Sequence, residues 1–192
     1  MIMKYYKWIL FSVWLLPVFS CNSDSRRYDK LVKNELSRGV RKDSLFMGMK
    51  LGMTSKEFYT HCWQMNKKGL FFAGPGNMTV SYKLDKELKY PASMNFFPDF
   101  RQGKIYKMKV IFSYDAFAPW NKNLFADSLQ LDVLRLLKKW YKDKDFISMT
   151  DATRGTILVQ VDGNRRIIIG HSDDAHVKVD YTDLLVDEKI GK

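Results

Sequence analysis

Residue types that bind metals lie close together in one stretch of this 192-residue sequence. His171 and His176 flank a Ser-Asp-Asp-Ala segment. A zinc site needs three or four ligands, each held by supporting hydrogen bonds. Two histidines at strand ends around a polar turn do not supply that set. We therefore expect a hairpin turn there, and the sequence predicts no metal and no cofactor.

A nucleophilic residue next to a base occurs at His61-Cys62. Both lie in a predicted helix, where adjacent side chains point about 100° apart and do not face each other. The sequence has no Gly-x-Ser-x-Gly motif, and the acidic pairs Asp173-Asp174 and Asp187-Glu188 are adjacent, so their carboxylates splay apart. We predict that the protein is not an enzyme, and a hydrolase with dispersed site residues is the least favoured alternative.

Two glycine-containing segments superficially suggest ligand loops. Residues 74–77 are Gly-Pro-Gly-Asn without the Lys-Ser/Thr of a phosphate-binding loop. Residues 162–164 are Asp-Gly-Asn without the spaced oxygen donors of a calcium loop. Both segments are typical of tight turns.

The first twenty residues have the pattern of a secretory signal. Lys4 and Lys7 precede an apolar run over residues 8–19, which Ser12 and Pro17 interrupt. A helix must have about 20 apolar residues to cross roughly 30 Å of hydrocarbon, and this run is shorter. Residues 1–20 are therefore predicted to be a signal peptide and not a membrane span.

The end of the signal resembles the lipobox of bacterial lipoproteins. Val18, Phe19 and Ser20 precede Cys21, and a polar segment follows. The resemblance implies cleavage between Ser20 and Cys21 and diacylation of the Cys21 sulfur. We expect an exported protein that is lipid-anchored in the inner or outer membrane of the bacterial cell envelope. Cleavage by ordinary signal peptidase is the alternative, because Val18 and Ser20 also fit a small-x-small site.

Net charge bears on the class of partner. Removal of Lys4 and Lys7 lowers it from +11 to +9 in a mature chain of 172 residues. The lysines and arginines form only short runs, and an exported protein rarely meets nucleic acid, so we predict no nucleic-acid partner. Basic residues on a solvated surface beside anionic lipid explain the charge.

Cysteine content leaves two alternatives open. Cys21 and Cys62 are the only cysteines in the sequence. If Cys21 carries lipid, Cys62 has no partner within the chain. If ordinary cleavage occurs instead, a Cys21–Cys62 disulfide becomes available.

The mature sequence divides into three parts. Residues 21–44 carry few large apolar side chains, with weak helical spacing at Leu31, Val32 and Leu36, and are predicted to be a lipidated N-terminus and polar tether. Residues 45–186 form one domain, large enough for a sizeable core. Residues 187–192 are predicted to be a frayed tail.

Within the domain, periodicity predicts two helices. Thr54 and Glu57 form a capping box for a helix that places Phe58, Cys62 and Met65 on its buried face and ends near Gly69. A second helix spans residues 124–142. Alternating patterns predict strands over residues 78–84, 92–97, 104–114, 156–161, 165–169 and 176–182. The predicted fold class is α+β, with two helices packed on an antiparallel sheet in the order helix, three strands, helix, three strands.

The segment over residues 46–58 resembles uncharacterised lipoproteins of Bacteroidota. More distantly it resembles the outer-membrane assembly lipoproteins of the SmpA/OmlA type, in which a Gly-Met-(Ser/Thr)-x-x-(Glu/Gln) capping box opens the first helix. Gly52, Met53, Thr54 and Glu57 match that pattern. The resemblance implies a helix-plus-antiparallel-sheet module that binds protein partners and has no catalytic residues.

Aromatic residues are the remaining candidates for binding. Tyr114, Phe117 and Trp120 lie at the end of a predicted strand and in the Pro-containing loop after it. These three residues are the predicted binding surface. We expect a non-enzymatic, lipid-anchored module for protein partners; the alternative is a glycan-binding accessory lipoprotein that uses the loop aromatics.

Overall fold

The computed structural model describes residues 21–142 and 144–187, which form one eight-stranded antiparallel sheet with four α-helices. The predicted signal peptide, its cleavage site and residues 188–192 of the predicted tail lie outside the described residues. The helices are α1 (Cys21–Ser37), α2 (Ser55–Lys67), α3 (Ala126–Trp140) and α4 (Leu184–Asp187). The strands are β1 (Phe71–Ala73), β2 (Val80–Leu84), β3 (Ala92–Arg101), β4 (Lys104–Tyr114), β5 (Ile147–Asp151), β6 (Gly155–Asp162), β7 (Arg165–His171) and β8 (His176–Asp183).

The sheet consists of two meanders that meet at its centre. Its strand order is β1-β2-β3-β4-β8-β7-β6-β5, so the last strand of each meander pairs with the other. Helix α2 precedes the first meander and α3 precedes the second. The predicted α+β class and antiparallel sheet are confirmed, but each meander has four strands where the sequence predicted three. The two missed strands, β1 and β5, are the sheet edges: one is three residues long and the other is at most half-buried.

One face of the sheet holds the main core. Cross-strand neighbours such as Met94 and Phe112, or Ile167 and Tyr181, are fully buried on this face. Phe58 from α2 and Leu129 from α3 pack against them. We call this side the core face, and the two predicted helices lie on it.

Helix α2 begins where the capping box predicts. The Thr54 hydroxyl accepts a hydrogen bond from the Glu57 amide at 3.2 Å, and the Glu57 carboxylate accepts one from the Thr54 amide at 2.7 Å. Two amides that lack helical partners are thereby satisfied. The Thr54 capping box is thus present in the structure, and Gly69 follows the helix with a positive φ of 68°.

Helix α1 lies within the predicted polar tether. Residues 21–37 form a helix, in the segment where the sequence shows weak helical spacing. Its half-buried residues Tyr28, Leu31, Val32 and Leu36 pack on a second cluster that includes Val159 of β6. Val159 points away from the core face, so α1 covers the opposite side of the sheet, which we call the outer face. The apolar spacing indicates a helix only weakly, and packing on the sheet provides the further stabilisation.

A buried polar cluster fixes the end of α1 to the sheet. The hairpin turn between β6 and β7, which the sequence predicts at Asp162-Gly163-Asn164, lies against the chain that leaves α1. The Gly163 amide donates to the Glu35 carboxylate at 3.0 Å, and Asn164 Oδ1 accepts from the Lys42 amide at 2.6 Å. We call Glu35, Lys42, Gly163 and Asn164 the turn clamp.

Charges complete the turn clamp without leaving a carboxylate unpaired. Lys144 Nζ lies 3.0 Å from the Glu35 carboxylate and 2.8 Å from that of Asp162. Burial raises the pKa of Glu35, but the Gly163 amide and the Lys144 ammonium outweigh that effect, and the pKa is lowered overall. Gly163 has a φ of 58° and faces the Val40 carbonyl, so a Cβ there would collide with backbone. Glycine is therefore required at this turn.

Removal of the Asn164 side chain tests the turn clamp. Asn164 is 1% exposed, and its amide also donates to Asp43 Oδ1 at 3.1 Å. In a chain that begins at residue 21, Asn164→Ala is expected to lower the free energy of unfolding by about 2 kcal/mol, since it leaves buried polar groups unpaired. Chemical denaturation measures this. The control is Asn123→Ala, at an exposed residue of a short 3-10 helix, and it should change stability by less than about 0.5 kcal/mol. Equal effects of the two variants would contradict the assignment.

Candidate functional site

Tyr114, one of the three predicted surface residues, is not on the surface. It is buried, and its phenol donates to the Asp132 carboxylate of α3 at 2.7 Å. Burial raises the pKa of Asp132, but the hydrogen bonds from Tyr114 and the Lys89 amide, together with Arg135, lower it overall. Tyr114 thus joins α3 to the sheet and takes no part in a binding surface. The alternating pattern of β4 already places it with the core residues Phe112 and Val110.

The other two predicted residues do lie in the exposed loop after β4. The Phe117 ring packs on Phe125 with centroids 5.4 Å apart, whereas Trp120 is 88% exposed. Trp120 is therefore the one aromatic of the predicted surface that is fully available to a ligand. A single exposed ring beside a partly packed one is a small surface.

A larger set of exposed apolar side chains surrounds edge strand β1. Of the eleven large apolar residues exposed in the described part of the chain, six belong to it. We call these six the edge patch: Tyr59, Trp63, Leu70, Phe72, Met78 and Phe97. Exposed apolar side chains concentrated in one region mark binding sites more often than scattered single residues do.

Several members of the edge patch are linked by ring contacts or by a shared groove. Tyr59 and Trp63 are four residues apart and so share one side of α2, beside the inward-facing Phe58. The Phe58 ring contacts both Tyr59 and Phe97, with centroids 5.4 and 6.2 Å apart. Leu70 and Phe72 line a shallow groove of about 390 Å³ beside β1. The patch therefore wraps around the sheet edge from helix to strand.

The backbone of β1 is partly capped. Asn66 of α2 donates from Nδ2 to the Phe71 carbonyl at 2.7 Å, on the side of β1 that β2 does not occupy. An edge strand of three residues with one carbonyl already satisfied offers little to an incoming strand. The edge patch is therefore a side-chain surface, and we expect partners to be recognised through its rings and aliphatic groups.

Charged residues occupy the part of the outer face that α1 leaves open. The buried Asp180 carboxylate lies 3.4 Å from Lys178 Nζ and 3.6 Å from Arg154. Lys109 forms a 2.8 Å ion pair with Asp99. These ion pairs link side chains within β8 and between neighbouring strands, and they hold the buried Asp180 carboxylate beside cations.

Cys62 and His61 do not form a catalytic pair. His61 Nε2 donates to the Met47 carbonyl at 2.7 Å, so its ring is directed toward the loop before α2. Cys62 is a free cysteine and is half-buried on the α2 side that faces the core. Burial raises the pKa of its thiol to about 11. Such a thiol is mostly protonated at neutral pH and is a poor nucleophile.

The histidines around the β7–β8 turn, His171 and His176, each lie near a single carboxylate and do not form a metal site with it. His176 pairs with Asp173 at 2.7 Å within the β7–β8 turn, and His171 Nε2 lies 3.6 Å from Asp127. Among the residues that the structure describes, no group of three His, Cys, Asp or Glu residues is arranged to hold a metal ion. None of the helices described is long and apolar enough to cross a membrane.

In comparisons with protein-family models, curated proteins and solved structures, none matches this chain. The resemblance of residues 46–58 to the Bacteroidota and SmpA/OmlA-type lipoproteins accordingly stays a prediction from sequence.

The Cys62 thiol gives a prediction of pH dependence. Because its pKa is raised to about 11, the fraction of thiolate should increase about tenfold per pH unit from pH 7 to 9. In a chain carrying Cys21→Ser, we expect the rate of labelling by a disulfide reagent to rise in that proportion. A urea-unfolded sample is the control, and its rate should level off near the ordinary thiol pKa of about 8.5. A plateau below pH 9 in the folded protein would contradict the burial of Cys62.

Proposed function

We propose that this protein is a non-enzymatic, lipid-anchored module of the bacterial cell envelope that binds protein partners. Cys21 carries the lipid, and the edge patch contacts the partner. The observation that carries the proposal is the concentration of exposed Tyr, Trp, Leu, Phe and Met side chains around one sheet edge.

The anchor is supported by the sequence around Cys21. A short apolar run ends at Ser20, a cysteine follows, and the only other cysteine is a free, half-buried thiol on α2. Two or three acyl chains on one residue hold a protein at a bilayer essentially permanently, at about 0.8 kcal/mol for each buried CH₂.

The kind of partner is supported by the composition of the edge patch. Glycan sites stack sugar rings on aromatic side chains presented in a row, whereas protein interfaces mix aromatic and aliphatic groups around a few large anchors. The edge patch has both kinds of side chain and spans a helix and two strands. Trp63, 59% exposed with Lys67 Nζ 3.6 Å from its ring centroid, is suited to be such an anchor.

Glycan binding through the loop after β4 is the second candidate. Trp120, at 88% exposure, favours it. This candidate predicts that a Trp120→Ala variant loses binding to envelope polysaccharide while a Trp63→Ala variant keeps it.

Substitution of Cys21 tests the anchor. In the producing bacterium, wild-type protein should remain with the membranes and incorporate labelled fatty acid. Cys21→Ser should abolish the label and shift the protein from the membrane fraction, because no other residue accepts the lipid. Cys62→Ser is the matched control and should retain both properties. Membrane-bound, labelled protein in the Cys21→Ser variant would rule out the proposed anchor.

A photo-crosslinking amino acid tests the partner surface. Tyr59 and Leu131 are each 55% exposed, but Leu131 lies on α3, which packs mainly on β4, β7 and β8, whereas α2 packs on β1. In native membranes, a crosslinker in place of Tyr59 should give discrete protein adducts that Trp63→Ala reduces about tenfold, as expected when a central anchor worth about 1.4 kcal/mol or more is removed. The same crosslinker in place of Leu131 should give none. Equal adducts at both positions, or adducts unaffected by Trp63→Ala, would contradict the proposal.

A further inference from the structure

The outward side of α1 is basic. Residues on a helix are 100° apart, and Tyr28, Val32 and Leu36 mark the side of α1 that packs on the sheet. The opposite side carries four exposed basic residues, which we call the basic face: Arg26, Arg27, Lys30 and Lys33.

Two of the three acidic residues of α1 lie toward the domain. Glu35 is buried in the turn clamp, where it pairs with Lys144. Asp24 is half-buried, whereas Asp29 is exposed and lines a groove of about 520 Å³ together with Lys33 and Arg166. The basic face therefore carries four cationic side chains, with one exposed carboxylate, that of Asp29, at its margin.

We propose that the basic face of α1 contacts an anionic lipid bilayer and holds the domain against it. The helix begins at Cys21, so a lipid on that residue brings the first turn of α1 to the headgroups. Attraction between basic side chains and anionic lipid decays within a Debye length of about 8–10 Å. The exposed face of a helix that begins at the anchor lies within that distance of the headgroups. A flexible tether would not hold the basic side chains of the domain within that distance.

This arrangement agrees with the position of the edge patch. Helix α1 lies on the outer face of the sheet over β5 and β6, whereas α2 lies with the core face beside β1 at the other edge. A bilayer against α1 therefore leaves Tyr59 and Trp63 accessible to a partner. This contact rests on the proposed function, because it is a second membrane contact beside the proposed lipid anchor. The experiment below tests the contact on protein that carries no lipid.

Vesicle binding tests the proposed bilayer contact. The protein used begins at residue 21 and carries Cys21→Ser, so it contains all the helices and strands described above and no lipid. Its binding to phosphatidylcholine vesicles is compared with binding to vesicles that contain about 30% phosphatidylglycerol. We expect the partition coefficient to be at least about tenfold higher on the anionic vesicles and to fall steeply in about 0.5 M salt. Absence of binding to anionic vesicles at low salt would overturn the proposal.

A matched pair of variants separates the basic face from net charge. Replacing the basic face by glutamine (R26Q, R27Q, K30Q and K33Q) should reduce the partition coefficient at least about tenfold. A control with the same net charge replaces four exposed lysines elsewhere, Lys50, Lys56, Lys122 and Lys139, and should retain most of the binding. Equal losses would mean that binding follows overall charge, and the proposal would fail.

Two further controls keep the outcome interpretable. Circular dichroism and thermal unfolding verify that each variant is folded, and the double variant K30Q and K33Q serves if the fourfold variant does not fold. The double variant should show an intermediate loss; unchanged binding would count against the proposal. Because these measurements use no acyl group, they succeed or fail independently of the fatty-acid labelling that tests Cys21.

Discussion

The turn clamp is the interaction on which the arrangement of this protein depends. It joins the C-terminal end of α1, the chain that follows it and the β6–β7 hairpin through buried hydrogen bonds and ion pairs. Glu35 and Asn164 would each be costly to bury alone, but together with Lys144 and the Gly163 amide they are satisfied. The clamp thereby fixes α1, and with it the residue proposed to carry lipid, to the sheet.

Sequence patterns with strong local causes were predicted correctly. The Thr54 capping box, the turn at Asp162-Gly163-Asn164 and the alternation of β4 each depend on residues close in sequence. The features that the sequence did not predict depend on residues far apart in the chain. Helix α1 is stabilised by apolar groups of β6 and by the Gly163 amide, more than 120 residues away, and its own sequence is polar and weakly periodic.

The candidate site illustrates the same limit. The sequence singled out the loop aromatics, and the structure leaves only Trp120 of them fully exposed while Tyr114 is buried against Asp132. The edge patch was not predicted because half of its members surround β1, a strand too short to give an alternating pattern, and because the helical spacing of α2 indicates only its inward residues, Phe58 and Cys62. A signal was present: Tyr59 and Trp63, spaced four residues apart on the solvent side of an amphipathic helix, are large apolar residues where polar ones are expected.

A membrane-bound helix in direct contact with the domain differs physically from a domain on a tether, and one measurement distinguishes them. Neutron reflectometry of the acylated protein on a supported anionic bilayer measures the hydrated gap between headgroups and protein. The docked α1 predicts protein density that begins at the headgroups, within about one helix diameter of 10–12 Å. An extended segment over residues 21–37 would allow a water-filled gap of up to about 55 Å; a gap of tens of ångströms would contradict the account.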